Sequence, residues 1–235
     1  MTAAKQAVRE RMWSRLERHG VVEPGVRGYI PAFEGADRAA ERLAGLAVWQ
    51  QAQVLQIAPD RAQLPVRSRA LHDGKLVYMP APKLATPEPF YLLDPHNLPV
   101  PATEAVDRSV AARIAPSIGV SEMRAIDLFI CGSVAVNDRG VRLGKGAGYS
   151  DIEVALLAEA GLLGERTVIA TTVHDLQVLD EDLPEQAHDF RVDLIVTTER
   201  IIWPGTPKRP VGLDVSSLSS EQIATIPVLA QRLGR

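Results

Sequence analysis

Residues 126–161 read IDLFICGSVAVNDRGVRLGKGAGYSDIEVALLAEAG. The stretch begins with a strongly apolar segment, residues 126–131, which predicts a buried strand. A glycine cluster follows this strand directly, and a helical pattern begins after it, near Ser150. An open parallel sheet presents its ligand crevice at such a strand-to-helix connection. The stretch therefore predicts both an α/β sheet and the place of its binding site. The glycines of the cluster are Gly140, Gly144, Gly146 and Gly148.

Helical and strand patterns alternate along the rest of the chain. The predicted helices cover residues 4–19, 36–50, 65–71, 103–114 with Thr103 as N-cap, 150–161, 221–225 and 227–233. The predicted strands cover residues 52–58, 75–79, 126–131, 167–173, 193–198 and 201–203. Short apolar strands without strict alternation are typical of sheets that are buried on both faces. The pattern therefore predicts a mostly parallel sheet in a three-layer, Rossmann-like α/β sandwich.

The composition is that of an ordinary globular chain. It has 235 residues, of which 46% are hydrophobic and 23% charged. A chain of this length can form one large core, so we expect a single domain over residues 1–235. Seven prolines lie between residues 80 and 101. Because proline cannot donate to a strand ladder, this segment predicts an ordered excursion without regular strand pairing.

Charge and cysteine content exclude several classes of function. The net charge of -3 gives no global field that would attract nucleic acid or an anionic membrane, so we expect neither as a partner. Cys131 is the single cysteine, and its apolar setting predicts a buried thiol without a disulfide or a multi-cysteine metal site. No stretch reaches the roughly 18 apolar residues of a membrane span, and the N-terminal residues lack an apolar leader. The expected location is the cytoplasm.

The glycine cluster has the composition of an anion-binding loop. Glycines let the backbone turn its N–H groups inward, and the following helix adds the positive end of its dipole. Arg142 and Lys145 supply cationic side chains that suit phosphates. Neither G-x-x-x-x-G-K-[ST] nor G-x-G-x-x-G occurs in the segment. From spacing alone, a connection that simply needs tight turns stays open as the alternative.

Three motifs resemble those of the 5-formyltetrahydrofolate cyclo-ligase (5,10-methenyltetrahydrofolate synthetase) family. The segment GVRLGKGAGYSD, residues 140–151, resembles the family's loop G-x-R-L-G-x-G-x-G-Y-Y-D. The segment HDFRVDLIVT, residues 188–197, resembles its H-D-x-x-V-D-x-(I/V)-(I/V)-T segment, about 40 residues later in both. Lys5 and Arg9 match its K-x-x-x-R on the first helix. The resemblance spans most of the chain and is weakest between residues 20 and 120.

The resemblance implies an ATP- and Mg²⁺-dependent enzyme with the cyclo-ligase type of fold. Such an enzyme converts 5-formyltetrahydrofolate to 5,10-methenyltetrahydrofolate and releases ADP and phosphate. The implied partner is a reduced folate or a related heterocycle, and we expect a monomer or a homodimer. The implied catalytic residues are Arg142, Lys145 and Tyr149; the nucleotide-binding residues are Lys5, Arg9, Arg142, Leu143, Gly144, Lys145, Gly146, Ala147, Gly148, Tyr149 and Ser150; and the Mg²⁺ ligands are Asp151 and Asp189.

Residue patterns alone leave an ordinary structural interpretation open for several of these side chains. Lys5 and Arg9 have the spacing of a solvated helix face. Asp151 fits a first-turn carboxylate that the helix dipole favours, and Asp189 fits a turn residue. The patterns also favour structural roles for two histidines, His174 and His188. They favour packing roles for three large side chains, Trp13, Trp49 and Met79.

Two segments depart from the family pattern and bear on the substrate. Ser150 and Ile152 stand where the family has a second tyrosine and a basic residue. Residues 64–69, LPVRSR, stand where an acidic segment resembling E-x-x-T helps to hold the pterin. Guanidinium donors cannot replace a carboxylate acceptor. In these features the chain is more similar to a divergent branch, the methenyltetrahydrofolate synthetase domain-containing proteins.

The departures leave two further hypotheses open. One is a nucleotide- or folate-binding protein without turnover. The other is an ATP-dependent enzyme that acts on a different small acid or on a thiamine-related compound, with Arg67 and Arg69 helping to bind it.

Overall fold

The computed structural model describes residues 2–205 and 207–233, and its central feature is a large sheet. In chain order the strands are β1 (Val54–Ile57), β2 (Leu76–Pro80), β3 (Phe90–Leu93), β4 (Ser117–Ile118), β5 (Leu128–Cys131), β6 (Ala135–Asn137), β7 (Arg142–Leu143), β8 (Val168–Thr172), β9 (Val178–Leu179), β10 (Leu194–Val196) and β11 (Ile201–Ile202). The large sheet has the strand order β11-β10-β8-β5-β1-β2-β3-β4. Its five inner strands, β10, β8, β5, β1 and β2, pair in parallel. The outer pairs are antiparallel, so the prediction of a mostly parallel sheet is confirmed.

Helices surround this sheet. In chain order they are α1 (Ala3–Arg18), α2 (Ala36–Ala44), α3 (Ala47–Gln51), α4 (Leu64–His72), α5 (Ala102–Ala105), α6 (Arg108–Ile114), α7 (Tyr149–Glu159), α8 (Ser220–Thr225) and α9 (Pro227–Arg232). No helix within residues 2–205 and 207–233 is both long and apolar enough to cross a membrane.

Side-chain alternation along the central strands creates the layers. On β1, Leu55 and Ile57 join a core cluster with residues of α2 and α4, including Leu43 and Val66. Val54 points to the other face, into a cluster that includes residues of α7. Because strands alternate their side chains between two faces, the sheet has an apolar cluster with helical residues on each face. The expected three-layer α/β sandwich is confirmed.

Two predicted helices are broken in the structure. The helical pattern over residues 36–50 is interrupted at Gly45, which ends α2 before α3 begins. The pattern over residues 103–114 forms α5 and α6, so the prediction of one helix capped by Thr103 is wrong. Asp107 interrupts it, because its carboxylate accepts hydrogen bonds from the backbone N–H groups of Ser109 and Val110 and so caps α6.

The prediction that the proline-rich segment lacks strand pairing is wrong for the middle of this segment. Residues Phe90–Leu93 form β3, which pairs antiparallel with β2. The prolines flank this strand, and Pro89 still contributes by accepting a hydrogen bond of 2.8 Å from the Ala81 amide. Proline density therefore marks the turns around β3 and leaves the strand itself free to pair.

Residue patterns also failed to predict a second, smaller sheet. Strands β7, β6 and β9 lie side by side in that order, with β6 and β7 antiparallel and β6 and β9 parallel. Each of these strands has only two or three residues, too few for a periodicity to be seen. The glycine-rich loop consequently follows β7 of the small sheet, and not the central strand β5 as predicted.

The packing predictions for the large apolar side chains hold. Trp13, Trp49, Met79 and Cys131 are all buried. Burial also raises the pKa of the Cys131 thiol to about 11.

The C-terminal helices pack against α7. Ile226, Val228 and Leu229 form a small apolar cluster with Ile152 and Leu156 of α7. The cluster also takes in Leu84 from the proline-rich segment. The end of the chain is thereby held next to the start of α7, where the glycine-rich loop ends.

Candidate active site

The glycine loop, residues 144–148, lies beside the carboxyl ends of two central strands. Arg142, just before the loop, donates from Nη1 to the carbonyl oxygen of Gly132 over 3.3 Å, directly after β5. Lys145, inside the loop, donates from Nζ to Oδ1 of Asp60 over 3.2 Å, shortly after β1. Open parallel sheets bind ligands at this edge, so the predicted position of the site is consistent with the fold.

The loop backbone is shaped for an anion. Gly146 has φ of 103° and Gly148 has φ of 76°, values that side-chain-bearing residues rarely adopt. Gly148 is also the N-cap of α7 and has no side chain to accept from the first turn. The first backbone N–H groups of a helix have no acceptor within the helix. Those of α7, together with its dipole, therefore favour a negatively charged group beside the loop.

Helix α1 directs two predicted phosphate-binding residues into the site. Lys5 and Arg9 are 6% and 4% exposed, so they do not form a solvated helix face. Arg9 donates from Nε to the carbonyl oxygen of Gly144 over 2.6 Å and so ties α1 to the loop. Burial lowers the pKa of Arg9, and the positive charge of Arg142 lowers it further. Helix α1 and the segment of Arg142, which lie far apart in the sequence, thus bring their cationic side chains together.

Each predicted Mg²⁺ ligand is paired with a predicted phosphate-binding cation. Lys5 Nζ lies 2.5 Å from Asp189 Oδ2. Arg142 Nη2 lies 3.3 Å from Asp151 Oδ1. Together with the contact between Lys145 and Asp60, these are three cation–carboxylate pairs around one loop. Three of the cationic side chains around the loop are therefore balanced by carboxylates.

Arg142 is the most deeply buried of these cations. Its side chain is 3% exposed, and its guanidinium lies 4.2 Å from the ring centroid of Phe190. Within the described part of the chain its Nε has no hydrogen-bond partner. Burial raises the pKa of Asp151, and the nearby charge of Asp189 adds to this rise, whereas Arg142 opposes it. Arg142 thus supplies a fixed positive charge beneath Asp151.

The chemistry of the carboxylates fits Mg²⁺ when phosphate oxygens complete its coordination. Among residues 2–205 and 207–233, no three His, Cys, Asp or Glu side chains come together as a metal-binding group. Mg²⁺ in nucleotide sites is commonly held by one or two carboxylates together with substrate phosphates and water. Asp151 and Asp189 could supply these carboxylates, because Asp189 lies near enough for its charge to raise the pKa of Asp151.

Other predicted site residues occupy different surroundings. Leu143 is buried in the cluster beneath α1, so its side chain packs in the core. Ala147 accepts a hydrogen bond of 3.1 Å at its carbonyl oxygen from Gln222 Nε2. Tyr149 packs partly against the C-terminal cluster, and Ser150 is half-buried in the first turn of α7.

Two histidines differ in their surroundings. His174 accepts a hydrogen bond of 3.1 Å at Nδ1 from the Leu176 amide, which confirms its structural role. His188 lies on the edge of the site, with Nε2 3.7 Å from Oδ1 of Asp189.

Residue patterns missed Asp60. It follows β1, its carboxylate accepts from Lys145, and its backbone carbonyl accepts from Arg67 over 3.0 Å. The spacing of Asp60 and Gln63 is that of E-x-x-T. Residues 64–69, which we compared with that motif, begin four positions after Asp60. An acidic residue directly after a buried strand was the available signal.

A buried carboxyl and a buried amide were missed as well. Glu153 on α7 accepts a hydrogen bond of 3.3 Å from Gln56 on β1, and both are buried. Burial raises the pKa of Glu153 to about 8, and the charge of Asp60 adds to the rise. Gln56 Oε1 has no partner in the part of the chain that the structure describes. A lone glutamate in the apolar run IEVALLA, residues 152–158, was the signal in the sequence.

The two arginines of the basic segment have different surroundings. Arg67 is buried and donates to the backbone carbonyl oxygens of Ala58 and Val106 as well as that of Asp60. Arg69 pairs with Asp73 one turn further along α4. Arg67 therefore ties the start of α4 to neighbouring backbone inside the protein, whereas Arg69 stays partly exposed.

The architecture and the site together define a class of protein. It is a three-layer α/β protein with a glycine-rich loop at the carboxyl edge of a mostly parallel sheet. Residues 1–198 match the model of the 5-formyltetrahydrofolate cyclo-ligase family. The chain belongs to this family.

Individual relatives agree with this assignment. The chain is 35% identical to the methenyltetrahydrofolate synthase domain-containing protein of Mus musculus, over 96% of this chain and 62% of that protein. The protein of the same name from Homo sapiens is 33% identical, over 96% of this chain and 60% of that protein. The chain thus spans about three fifths of the length of these curated relatives.

Solved structures show the same fold. The 5,10-methenyltetrahydrofolate synthetase of Aquifex aeolicus superposes with a TM-score of 0.55 at 19% identity, over 91% of this chain and 99% of that chain. The 5,10-methenyltetrahydrofolate synthetase of Mycoplasma pneumoniae superposes with a TM-score of 0.50 at 15% identity, over 83% and 99%.

Proposed function

We propose that this protein is an ATP- and Mg²⁺-dependent cyclo-ligase that converts 5-formyltetrahydrofolate to 5,10-methenyltetrahydrofolate and releases ADP and phosphate. The observation that carries this proposal is the ring of three cation–carboxylate pairs around the glycine loop. Family membership supplies the reaction class.

The charge pairs suit a triphosphate with bound Mg²⁺, because this ligand carries both negative and positive charge. A triphosphate offers anionic oxygens to Lys5 and Lys145, and it would release Asp189 from its contact with Lys5. Asp189 and Asp151 would then be free to hold the metal. Because each group exchanges one partner for another of the same sign, no charge is left buried without compensation.

The reaction needs charge neutralisation and positioning more than a covalent catalyst. The γ-phosphoryl group passes to the formyl oxygen, and attack by the neighbouring nitrogen on the formyl carbon closes the ring with loss of phosphate and of the nitrogen-bound proton. Lys145 and the loop N–H groups would stabilise the transferring group, while Arg142 orients Asp151. Bound Mg²⁺ would neutralise charge on the phosphates. Tyr149, the first residue of α7, would border the reacting group.

In a second candidate function, the protein binds the nucleotide at the same site. It then either transfers the phosphoryl group to a different acceptor or has no turnover. The observation that favours it is the departure from the family pattern at Ser150 and Ile152, next to the buried Glu153. Binding of ATP without formation of a methenyl product would support this candidate.

The decisive experiment is a direct assay. Purified protein is mixed with ATP, Mg²⁺ and 5-formyltetrahydrofolate, and the absorbance of the methenyl product is followed, with a bacterial cyclo-ligase as positive control. The proposal expects ATP-dependent appearance of product and its loss in the Lys145→Ala variant. Absence of product from the wild-type protein, while the control enzyme works, rejects the folate assignment.

A further inference from the structure

Residues 185–189 carry Asp189 into the candidate site, and they lie between β9 and β10, outside both strands. The Asp189 amide donates to the carbonyl oxygen of Gln186 over 3.2 Å, which closes a turn. The Gln186 amide donates in return to Asp189 Oδ2 over 2.6 Å. Because no helix or strand ladder holds these residues, contacts of this kind determine where the Asp189 carboxylate points.

Lys208 holds this turn from the C-terminal part of the chain. Its Nζ donates to the carbonyl oxygen of Gln186 over 2.8 Å, the same oxygen that accepts from the Asp189 amide. Its Nζ also lies 3.3 Å from Oε1 of Glu185. Both backbone polar groups of Gln186 are therefore engaged, the N–H by Asp189 and the carbonyl oxygen by Lys208.

The backbone at Lys208 is held independently of its side chain. The Arg191 amide donates to the Lys208 carbonyl oxygen over 3.1 Å. The next residue, Arg209, donates from Nη1 to the Arg191 carbonyl oxygen over 3.1 Å and pairs with the Asp193 carboxylate. The chain at residues 208–209 thus lies beside residues 191–193, directly before β10. A change of the Lys208 side chain would leave these contacts in place.

The same part of the chain reaches the other half of the candidate metal site. Gln222 Nε2 donates to the carbonyl oxygen of Ala147 in the glycine loop over 3.1 Å. The Leu213 amide donates to Oε2 of Glu159 on α7 over 3.3 Å. Residues 207–229 therefore connect the turn of Asp189 with the loop and the helix that carry Asp151.

These contacts lie outside the region that defines the family. The family model matches residues 1–198. The curated relatives match 96% of this chain, which leaves too few unmatched residues for the whole of residues 207–229 to be missing from the alignment. The contacts of Lys208 are thus additional to the motifs of the family's common core.

The two oxygens of Asp189 have different surroundings. Oδ2 accepts from Lys5 Nζ over 2.5 Å and from the Gln186 amide over 2.6 Å. Oδ1 lies 3.7 Å from Nε2 of His188. When Lys5 turns to a phosphate, the Gln186 amide is the donor that still fixes Oδ2, and Oδ1 is left for a metal. Outer partners that orient a ligand in this way contribute to metal affinity.

We propose that Lys208 is a positioning residue of the candidate metal site, and that it holds the turn from Gln186 to Asp189 so that the Asp189 carboxylate stays oriented toward Mg²⁺ after Lys5 has moved to phosphate. The inference rests on the proposed function, because Asp189 has this task only in a site that binds a nucleotide together with a metal. Lys208 acts through Gln186, so its effect belongs to the metal and not to the phosphates.

Three variants separate this role from general support of the fold. Lys208→Met removes the donor and keeps the aliphatic stem, and Glu185 retains its pair with Arg191 at 2.8 Å. Lys208→Arg keeps a cationic donor. Arg209→Met is the matched control, because it removes the neighbouring attachment without touching the turn. The side chains of Lys208 and Arg209 are 32% and 27% exposed.

Amide hydrogen exchange, followed by NMR in the ligand-free proteins, tests the contact with the turn. Relative to the amides of β5, the amides of Gln186 and Asp189 should exchange about tenfold faster in Lys208→Met, because a hydrogen bond from a charged donor is lost. Lys208→Arg and Arg209→Met should keep exchange close to that of the wild type. Unchanged exchange in Lys208→Met overturns the proposal.

Calorimetric titration of ATP, with Mg²⁺ and with EDTA, tests the effect on the metal. Lys208→Met should weaken ATP binding in Mg²⁺ by roughly tenfold and leave the affinity in EDTA unchanged, whereas Lys208→Arg should recover most of the loss. An equal loss in Arg209→Met would assign the effect to attachment of the segment, and an equal loss in EDTA would assign it to the nucleotide. Either result overturns the positioning role, as does wild-type affinity in Lys208→Met.

Failure of the proposed function has a different signature. In that case the wild-type protein itself does not bind ATP in either condition, while exchange at Gln186 still responds to Lys208→Met. Failure of the positioning role alone leaves ATP binding and its dependence on Mg²⁺ intact in the wild type and equal in Lys208→Met.

Discussion

Lys5 Nζ donates a hydrogen bond to Asp189 Oδ2 over 2.5 Å, although 184 positions separate the two residues in the chain. Both side chains are buried. The first helix and the segment before β10 are therefore joined at the glycine loop. A lysine expected to contact phosphate and a carboxylate expected to hold a metal thus neutralise each other. This pairing is the basis for the account of ligand exchange proposed above.

Lys145→Ala should weaken ATP binding by roughly tenfold or more, because a charge-assisted hydrogen bond contributes about 1.5–3 kcal/mol. Its effect on the free energy of unfolding should stay below about 1 kcal/mol, since the pair with Asp60 is partly exposed. Calorimetric titration and urea unfolding measure the two effects. Arg200→Ala is the matched control, because it breaks an exposed pair of the same 3.2 Å length with Asp175. Equal ATP affinity in the Lys145→Ala variant and the wild type contradicts a phosphate role.

Gly146→Val should distort the loop. A β-branched residue resists the φ of 103° at this position, and such strain costs on the order of 1–3 kcal/mol. Gly164→Val is the control, because a side chain at Gly164 meets open space and no positive φ. We expect the first variant to lose both stability and ATP affinity, and the second to lose neither. Wild-type ATP affinity in Gly146→Val would show that the loop backbone does not hold the phosphates.

Gln222→Ala should weaken ATP binding by about threefold or more, because it removes the hydrogen bond from α8 to the carbonyl oxygen of Ala147 in the glycine loop. Ser219→Ala is the matched control, since it removes the N-cap of α8 and keeps the Gln222 side chain. Comparable destabilisation is expected from both variants, whereas the loss of ATP affinity should be larger for Gln222→Ala. If both variants weaken ATP equally, the effect comes from α8 as a whole.

Glu153 should make the stability of the protein depend on pH. Burial raises its pKa from 4.5 to about 8 in the folded protein. Between these values the folded state keeps a proton that the unfolded chain has released, so the free energy of unfolding falls as the pH rises from about 4.5 to 8. Above that range the loss is complete.

The isosteric variant Glu153→Gln tests this directly. It should be less sensitive to pH in the same window and should gain at least about 1 kcal/mol over the wild type between pH 5 and pH 8.5, since one pKa unit corresponds to about 1.4 kcal/mol. Urea unfolding at several pH values measures this difference. Parallel curves for the two proteins would show that Glu153 titrates normally. Glu159→Gln, at a partly exposed position of the same helix, is the control.

The sequence was sufficient to predict the sheet, its helical layers and the glycine loop, because these depend on local periodicity and on glycine content. Apolar runs such as residues 126–131 mark buried strands whatever lies around them. Strands β6, β7 and β9 could not be predicted, because a strand of two or three residues is too short to show a hydrophobic periodicity. The predicted helix over residues 103–114 is interrupted at Asp107, because the Asp107 side chain caps α6 in place of a longer continuous helix.

The candidate site could be predicted only in part, because local sequence patterns do not show which distant residues contact each other. Lys5, Arg9 and Asp189 came from motif resemblance, and the sequence could not show that Lys5 and Asp189 contact each other. Asp60 was missed because its contact with Lys145 joins residues that lie 85 positions apart. Residues 207–229 carry no motif, and their position beside the loop depends on tertiary packing of Ile226 against α7.

The central claim is that the glycine loop and its three charge pairs bind ATP together with Mg²⁺. Calorimetric titration of ATP into the wild-type protein and into Asp189→Asn, each with Mg²⁺ and with EDTA, tests it most directly. We predict that the wild type binds ATP, that EDTA weakens this binding markedly, and that Asp189→Asn removes most of the difference between the two conditions. Absence of ATP binding by the wild type, or identical dependence on Mg²⁺ in the two proteins, would contradict the account.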